Sequence, residues 1–531
     1  MTIRRSLSAL VLSATLAHIT AAADAHAASP ASAVSSADHD FDVTASRFNE
    51  IRTNPARLRP FLQAFPKGAD LHNHLVGAIY AEHMLDWAAR DQLCVSAGGA
   101  ITSAHCTAGG HDAKSDGLPA VAVIANPALY ARSIDALSMR DFVPTPEDRS
   151  GHDHFFATFD RFMPATYAHE PDMLADAQNQ AAMDHVRYVE LMISPQLMPV
   201  AGLGANAQVT DDDGLNSTLT SVSPKFAPLV SAARAETDKM EAGARQIMRC
   251  GSPDAAPGCG VSVRYLYQTV RVLPPGMVFS QIAFGYALAE ADPRFVGINI
   301  VAPEDNPVAM RDYALHMRMF HFLSARHPTV KLSLHAGELT GGLVPPEGLR
   351  DHIRQAVEVA GASRIGHGVD VLSERDPEGL LAELAQRGVM VEINLTSNDQ
   401  ILGVRGDAHP FMTYRAHDVP VALSTDDEGV SRGSLTNEYL RAALTYPLSY
   451  TNLRDLSRTG LEHAFAPGRS LWAQTTPFRI EGACAGIAPG SDVAAGPCHD
   501  LLANSEKARL QWALEGDFIR FEHSVAAEKP L

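Results

Sequence analysis

Eight short apolar runs recur along the chain, at residues 69–75, 186–192, 261–267, 295–301, 330–335, 364–369, 389–395 and 420–425. The stretches between them space their apolar residues as helices do. Runs of this length bounded by turn residues predict buried strands, and strands alternating with helices predict parallel βαβ units. Eight such units predict an α/β fold, a closed (β/α)8 TIM barrel, with any chemistry gathered where the strands end. The first gap is far longer than one helical crossover needs, so residues of about 90–150 are expected to be an insertion.

Smaller features complete the outline. Residues 41–65 carry helical spacing, with Pro60 expected to mark a break before the first strand. Residues 202–223, rich in Asp, Asn, Ser and Thr, read as a surface loop after the second strand. Near the end, Leu510, Leu514, Phe518 and Phe521 form one stripe of an amphipathic helix, expected to dock on the barrel.

The ends and the cysteines change the picture. Arg4 and Arg5, an apolar core at residues 7–16 and the small-residue site Ala25-His26-Ala27 read as a secretory signal over residues 1–27. Residues 28–40, rich in Ala and Ser, read as a mobile linker, residues 41–470 as the barrel, and residues 471–531 as a cysteine-bearing extension. The six cysteines fall in three local pairs, Cys94 with Cys106, Cys250 with Cys259 and Cys484 with Cys498. In an oxidising compartment, periplasmic or extracellular, these predict three loop-pinning disulfides, although six cysteines formally allow fifteen pairings. No later apolar run is long enough to span a bilayer.

Hydrophobic residues at 46% and charged residues at 20% belong to a soluble globular chain. A formal net charge of -18 argues against nucleic acid or an anionic membrane as partner. A homodimer stays compatible with the sequence.

The candidate chemistry sits at four strand ends. His72 and His74, two apart on a strand, face the same side; His335 ends the fifth strand with Glu338 just beyond. His367 ends the sixth in Ile-Gly-His-Gly, and Asp426-Asp427 ends the eighth. Three neutral imidazoles and one carboxylate, His72, His74, His335 and Asp426, make a nitrogen-rich site for one divalent cation per chain, most naturally Zn2+. Such a cation lowers the pKa of bound water to about 7. His367 would orient or deprotonate that water, Glu338 would be the acid across the site, and Asp427 would accept a hydrogen bond from substrate. For His367 a buried histidine bonded to backbone, and for Asp427 a helix N-cap, stay open beside these roles. A second pair, His152 and His154, stands in a polar context before a helix and reads as structural or rim.

These motifs resemble the adenosine deaminase family of the metal-dependent amidohydrolase superfamily. The resemblance rests on Pro66-Lys67-Gly68-Ala69-Asp70-Leu71-His72-Asn73-His74, His335-Ala336-Gly337-Glu338, Gly366-His367-Gly368 and Ser424-Thr425-Asp426-Asp427. The signal, the long insertion and its cysteine pair look most like the secreted, growth-factor-related branch. The resemblance implies a small-molecule purine nucleoside as substrate and hydrolytic loss of its 6-amino group. Activated water would add at C6, Glu338 would protonate N1, His367 would assist the water and Asp427 would bind N7. Two departures stand out. Where the family has His-Leu-Asp-Gly, whose Asp contacts the sugar, this chain has His74-Leu75-Val76-Gly77. Ala302 stands where a Gly often offers its N–H to purine N3. Adenine or a modified aminopurine is therefore the alternative substrate, and an extracellular nucleoside-binding or signalling protein the alternative of another class.

Overall fold

The computed structural model describes residues 30–106, 117–146 and 148–528; the expected signal lies outside them. Eight parallel strands follow one another in sequence order: β1 (Gly68–His74), β2 (Val186–Ile193), β3 (Ser262–Val270), β4 (Phe295–Val301), β5 (Lys331–Ala336), β6 (Arg364–His367), β7 (Met390–Ile393) and β8 (Val421–Leu423). The circle closes between β1 and the turn after β8. There the His74 N–H donates to the Asp426 carbonyl at 3.1 Å and the Asp426 N–H to the His72 carbonyl at 2.8 Å. Asp70 of β1 accepts from the Thr425 hydroxyl at 2.5 Å, and Asn73 donates to the same oxygen at 2.9 Å. The (β/α)8 barrel is thus formed, with every strand where the apolar runs placed it.

Buried polar residues at alternate strand positions fill the barrel's centre. Arg364 is sandwiched between Glu190 at 2.5 Å and Glu392 at 2.6 Å, all three without solvent exposure. A lone guanidinium could not be buried there without a compensating charge, which these carboxylates supply.

The expected insertion begins with a small antiparallel sheet (Leu93–Ser96, Ile101–His105, Gly117–Pro119) and continues through short helices to the helix Gly151–Phe162. Three expectations are corrected. The expected linker is helical from its third residue, as part of the helix Pro30–Ile51. The break before β1 falls at Asn54, whose side chain caps the helix Pro55–Ala64 by accepting from the Arg57 N–H, and Pro60 lies inside that helix. In the expected loop 202–223, Asp211 caps a helix, Asp212–Val222, that buries Leu215, Thr218 and Val222. Its polar composition describes only the outer face.

The C-terminal helix Glu506–Ala527 docks as its stripe predicts. Phe518 and Phe521 pack on Phe65, with ring centroids 5.6 and 5.8 Å apart. Leu471, Trp472, Cys484, Cys498, Ala508 and Trp512 form a separate small core within the extension.

All six cysteines pair as expected, at sequence separations of 12, 9 and 14. Closing loops of that length stabilises a chain by roughly 3 kcal/mol each in the chain-entropy account. Replacing Cys250 and Cys259 together by serine is expected to lower unfolding stability by about 2–3 kcal/mol, read from denaturant midpoints. Thiol titration of the unfolded, non-reduced chain should find none of the six free; six reactive thiols would refute the pairing.

Candidate active site

At the C-terminal ends of the strands four side chains converge. The Nε2 atoms of His72 and His335 lie 3.1 Å apart, and those of His74 and His335 3.3 Å. Asp426 Oδ1 lies 3.5 Å from His72 Nε2 and 3.4 Å from His74 Nε2. One ligand atom from each of the four falls within 4.8 Å of the others. Ligands set about 2.1 Å from a tetrahedral centre stand about 3.4 Å from one another, so the spacing fits a small divalent cation.

The far side of each ring decides which nitrogen faces inward. His72 Nδ1 bonds Glu392 Oε2 at 2.7 Å, His74 Nδ1 bonds Gln268 Oε1 at 3.0 Å, and His335 Nδ1 bonds Asn299 Oδ1 at 2.6 Å. An imidazole that donates from Nδ1 keeps its lone pair on Nε2, which is the form a cation needs. Arg364 and the Ser333 hydroxyl, at 2.6 and 2.7 Å, both bond Glu392 Oε1 and leave its other oxygen for His72. Burial alone would raise the Glu392 carboxyl, but Arg364 and His72 hold it down to about 2. Four ligand atoms gathered in this way could hold a metal ion.

The turns that carry this set are tight. His367, Asp426 and Ala302 have φ of 71°, 61° and 85°, a region non-glycine residues seldom enter. Two glycines are required by close approach. A Cβ on Gly366 would meet His72 Cε1 at 2.6 Å, and one on Gly77 would meet Asp427 Oδ1 at 1.6 Å. Ala302 is held by Arg271, whose Nε donates to the Ala302 carbonyl at 2.9 Å. Relief of left-handed strain at Ala302 (about 1–2 kcal/mol) outweighs the entropy a glycine adds to the unfolded chain (about 0.4–1 kcal/mol). Ala302→Gly is therefore expected to raise the thermal midpoint slightly; a clear fall would contradict the strain.

Glu338 sits just past β5, buried, with its backbone pinned. Glu304 accepts from the Gly337 N–H at 3.1 Å and the Glu338 N–H at 3.0 Å, and His352 Nδ1 bonds it at 2.6 Å. Glu338 Oε1 has no hydrogen-bond partner within the described residues. Burial, joined by the Asp426 and Glu304 carboxylates, pushes the Glu338 carboxyl well above its ordinary range. His367 lies 1% exposed, its Nε2 3.9 Å from Asp426 Oδ2 and without a hydrogen-bond partner among the described residues. Burial pushes that imidazole down to about 3, so it rests neutral. Asp427 is buried, with Oδ1 unpartnered among the described residues; burial and the neighbouring Asp426 push its carboxyl up. It stands at the N-cap of the short helix Glu428–Ser431 without a side-chain cap bond, so the capping alternative falls away.

Above these groups opens a cavity of about 550 Å³, lined by His74, His335, Glu338, His367, Asp426, Asp427 and Ala302. Phe155, Phe156, Phe159 and Asp160 of the helix Gly151–Phe162 form its outer wall. A neighbouring cavity of about 300 Å³ shares Gln268 and Val270 with it and contains Val76, Glu170 and Glu236. His152 and His154 do not line this cavity: His152 Nε2 bonds Asp305 at 3.0 Å and His154 Nδ1 bonds Asp148 at 2.5 Å.

Sequence reasoning missed the outer partners. Gln268, Asn299 and Glu392 are polar residues within apolar strands, and that interruption was the available signal. Glu304 carried no such mark, and neither did the aromatic wall, whose helix alone was foreseen.

A parallel barrel with three inward imidazoles and an aspartate at its strand ends defines a barrel of the metal-dependent hydrolase type. Residues 135–471 match the family model described as adenosine deaminase. The chain belongs to the adenosine deaminase family. Curated adenosine deaminases of Yersinia pseudotuberculosis and of Escherichia coli (strain SE11) are each 38% identical to it over 146 residues, 27% of this chain. The chain thus spans about 40% of the length of these relatives. The crystal structure of an Arabidopsis N6-mAMP deaminase superposes with a TM-score of 0.50 at 21% identity, covering 77% of this chain and 96% of that one. At that identity the likeness is one of fold.

Proposed function

We propose that the protein is a zinc-dependent hydrolytic deaminase converting adenosine or deoxyadenosine to inosine or deoxyinosine and ammonia. The observation that carries this reading is the meeting of His72, His74, His335 and Asp426 in one cavity with Glu338, His367 and Asp427. His72, His74, His335 and Asp426 would hold the cation, which supplies the Lewis acidity that makes water nucleophilic at neutral pH. His367 orients that water by a hydrogen bond through Nε2. Glu338, buried and protonated, hands its proton to ring N1 and so draws electrons away from C6. Purine N7 bears a lone pair and no hydrogen, so a group bound to it must donate. Asp427, expected above to accept from substrate, is therefore assigned as a protonated donor, the form that burial beside Asp426 favours. The Ala302 N–H is the donor for N3.

Charge favours a nucleoside over a nucleotide. A 5′-phosphate is held by Arg or Lys, and among the described residues neither lines either cavity, whereas Asp160, Glu170 and Glu236 do. Val76, in place of a sugar-binding carboxylate, favours adenine as a second reading. The signal-like residues 1–27 and the three disulfides support export, in keeping with the secreted growth-factor-related branch. The test is ammonia release from adenosine, deoxyadenosine, adenine and AMP by protein of measured metal content. Release from the nucleosides and none from AMP is expected. Release from adenine alone would move the assignment to the second reading, and silence on all four at full metal occupancy would leave a binding protein.

A further inference from the structure

We propose that Asn398 and His409 fix the proton of His367 on Nε2, so that the neutral ring enters the active site as a hydrogen-bond donor. The backbone N–H of Phe411 has a fixed polarity, since it can only donate. It donates to His409 Nδ1 at 3.1 Å. His409 Nδ1 is therefore a lone pair, and the hydrogen of the neutral ring sits on Nε2. His409 is 3% exposed, and burial pushes its imidazole down to about 4, so it carries one hydrogen and not two.

His409 Nε2 lies 3.0 Å from Asn398 Oδ1 and donates to it. That bond sets the orientation of the Asn398 amide, whose Nδ2 then faces His367 Nδ1 at 2.9 Å. A second amide, Asn394 Nδ2, approaches the same nitrogen at 3.4 Å. With amide donors aimed at it, His367 Nδ1 must accept, and its hydrogen is left on Nε2. Among the described residues the one competing acceptor is Glu338 Oε1, 3.5 Å from Nδ1, outside good hydrogen-bond range and opposed by the 2.9 Å donor. Polarity thus runs one way, from the Phe411 backbone through His409 and Asn398 into the site.

The residues are arranged for this. Asn394 and Asn398 flank one turn at the start of the helix Leu395–Leu402, directly after β7, and His409 stands two residues before Phe411 opens the helix Phe411–Ala416. Asn394, Asn398 and His409 are all buried, where reversing one amide would set two donors, or two acceptors, face to face. His367 Nε2, without a hydrogen-bond partner among the described residues and turned toward Asp426 Oδ2, is the outlet of the chain. Within the deamination proposed above, on which this rests, His367 holds the attacking oxygen by donation. Asn398 and His409 are positioning residues that act through it.

Two measurements test this. Proton–nitrogen correlation spectra of the metal-loaded protein, labelled with nitrogen-15 at histidine and assigned through His367→Gln, report which ring nitrogen of His367 carries hydrogen without any substrate. The Nε2–H form is expected; the Nδ1–H form would overturn the proposal whatever the protein deaminates. Asn398→Asp replaces the amide donor by an acceptor and should move the hydrogen to Nδ1. Turnover should then fall about 100-fold, as when one aimed donor is lost, with KM and metal content held. If Asn398→Asp shows the Nδ1–H form and undiminished turnover, donation by His367 is refuted. His409→Leu should lose activity in the same sense, and His409→Gln, which restores an N–H toward Asn398, should recover most of it. Equal loss in both would reduce His409 to a packing residue.

Discussion

Glu338→Gln is expected to leave the fold and the bound cation intact and to lower kcat about 1,000-fold, within the range a positioned acid contributes. The amide has nearly the shape of the acid, and the backbone that carries it stays clamped by Glu304 through the N–H groups of Gly337 and Glu338. What disappears is the transferable proton. Because that proton matters in the transition state more than in the bound complex, KM should move little. Ammonia release and metal content measured on one preparation check both halves. Undiminished turnover would remove Glu338 from the chemistry, and loss of the metal would make it a structural residue of the site.

His335→Ala is expected to cost still more. His335 Nε2 stands 3.1 and 3.3 Å from the Nε2 atoms of His72 and His74 and is the corner of the donor set nearest to both. Its loss removes one ligand of four and also leaves Asn299 without its 2.6 Å partner. Losing only an outer partner costs roughly 10- to 100-fold in metal affinity, which is the expectation for Asn299→Ala. His335→Ala should exceed that, with metal analysis after gel filtration returning almost none and activity falling to background. Full metal retention in His335→Ala would mean that the cation sits elsewhere.

The barrel was legible because its strands are apolar runs whose spacers are helical, and the inner ligands because ligation needs particular residue types at strand ends. The helix Asp212–Val222 was not legible from composition, since a helix needs only a narrow buried stripe, here Leu215, Thr218 and Val222, under an otherwise polar sequence. The partners of the ligands were harder still. Gln268, Asn299 and Glu392 lie on three separate strands and meet His74, His335 and His72 only when the barrel closes. Nothing near His367 in the chain points to Asn398 or His409, and a donor's direction becomes readable only with a fixed N–H at the far end of the path. Ala302 shows a further limit. The sequence marks the lost glycine, but the positive φ that makes the substitution costly is a property of the folded turn.

The proposed deamination depends on one cation held by residues of β1, β5 and the turn after β8. Its most direct test is ammonia release from adenosine as zinc is added back in known amounts to the metal-stripped protein. Activity should rise in proportion to added metal and level off at one equivalent per chain. Full activity in the stripped protein, or none at any zinc level, would contradict it.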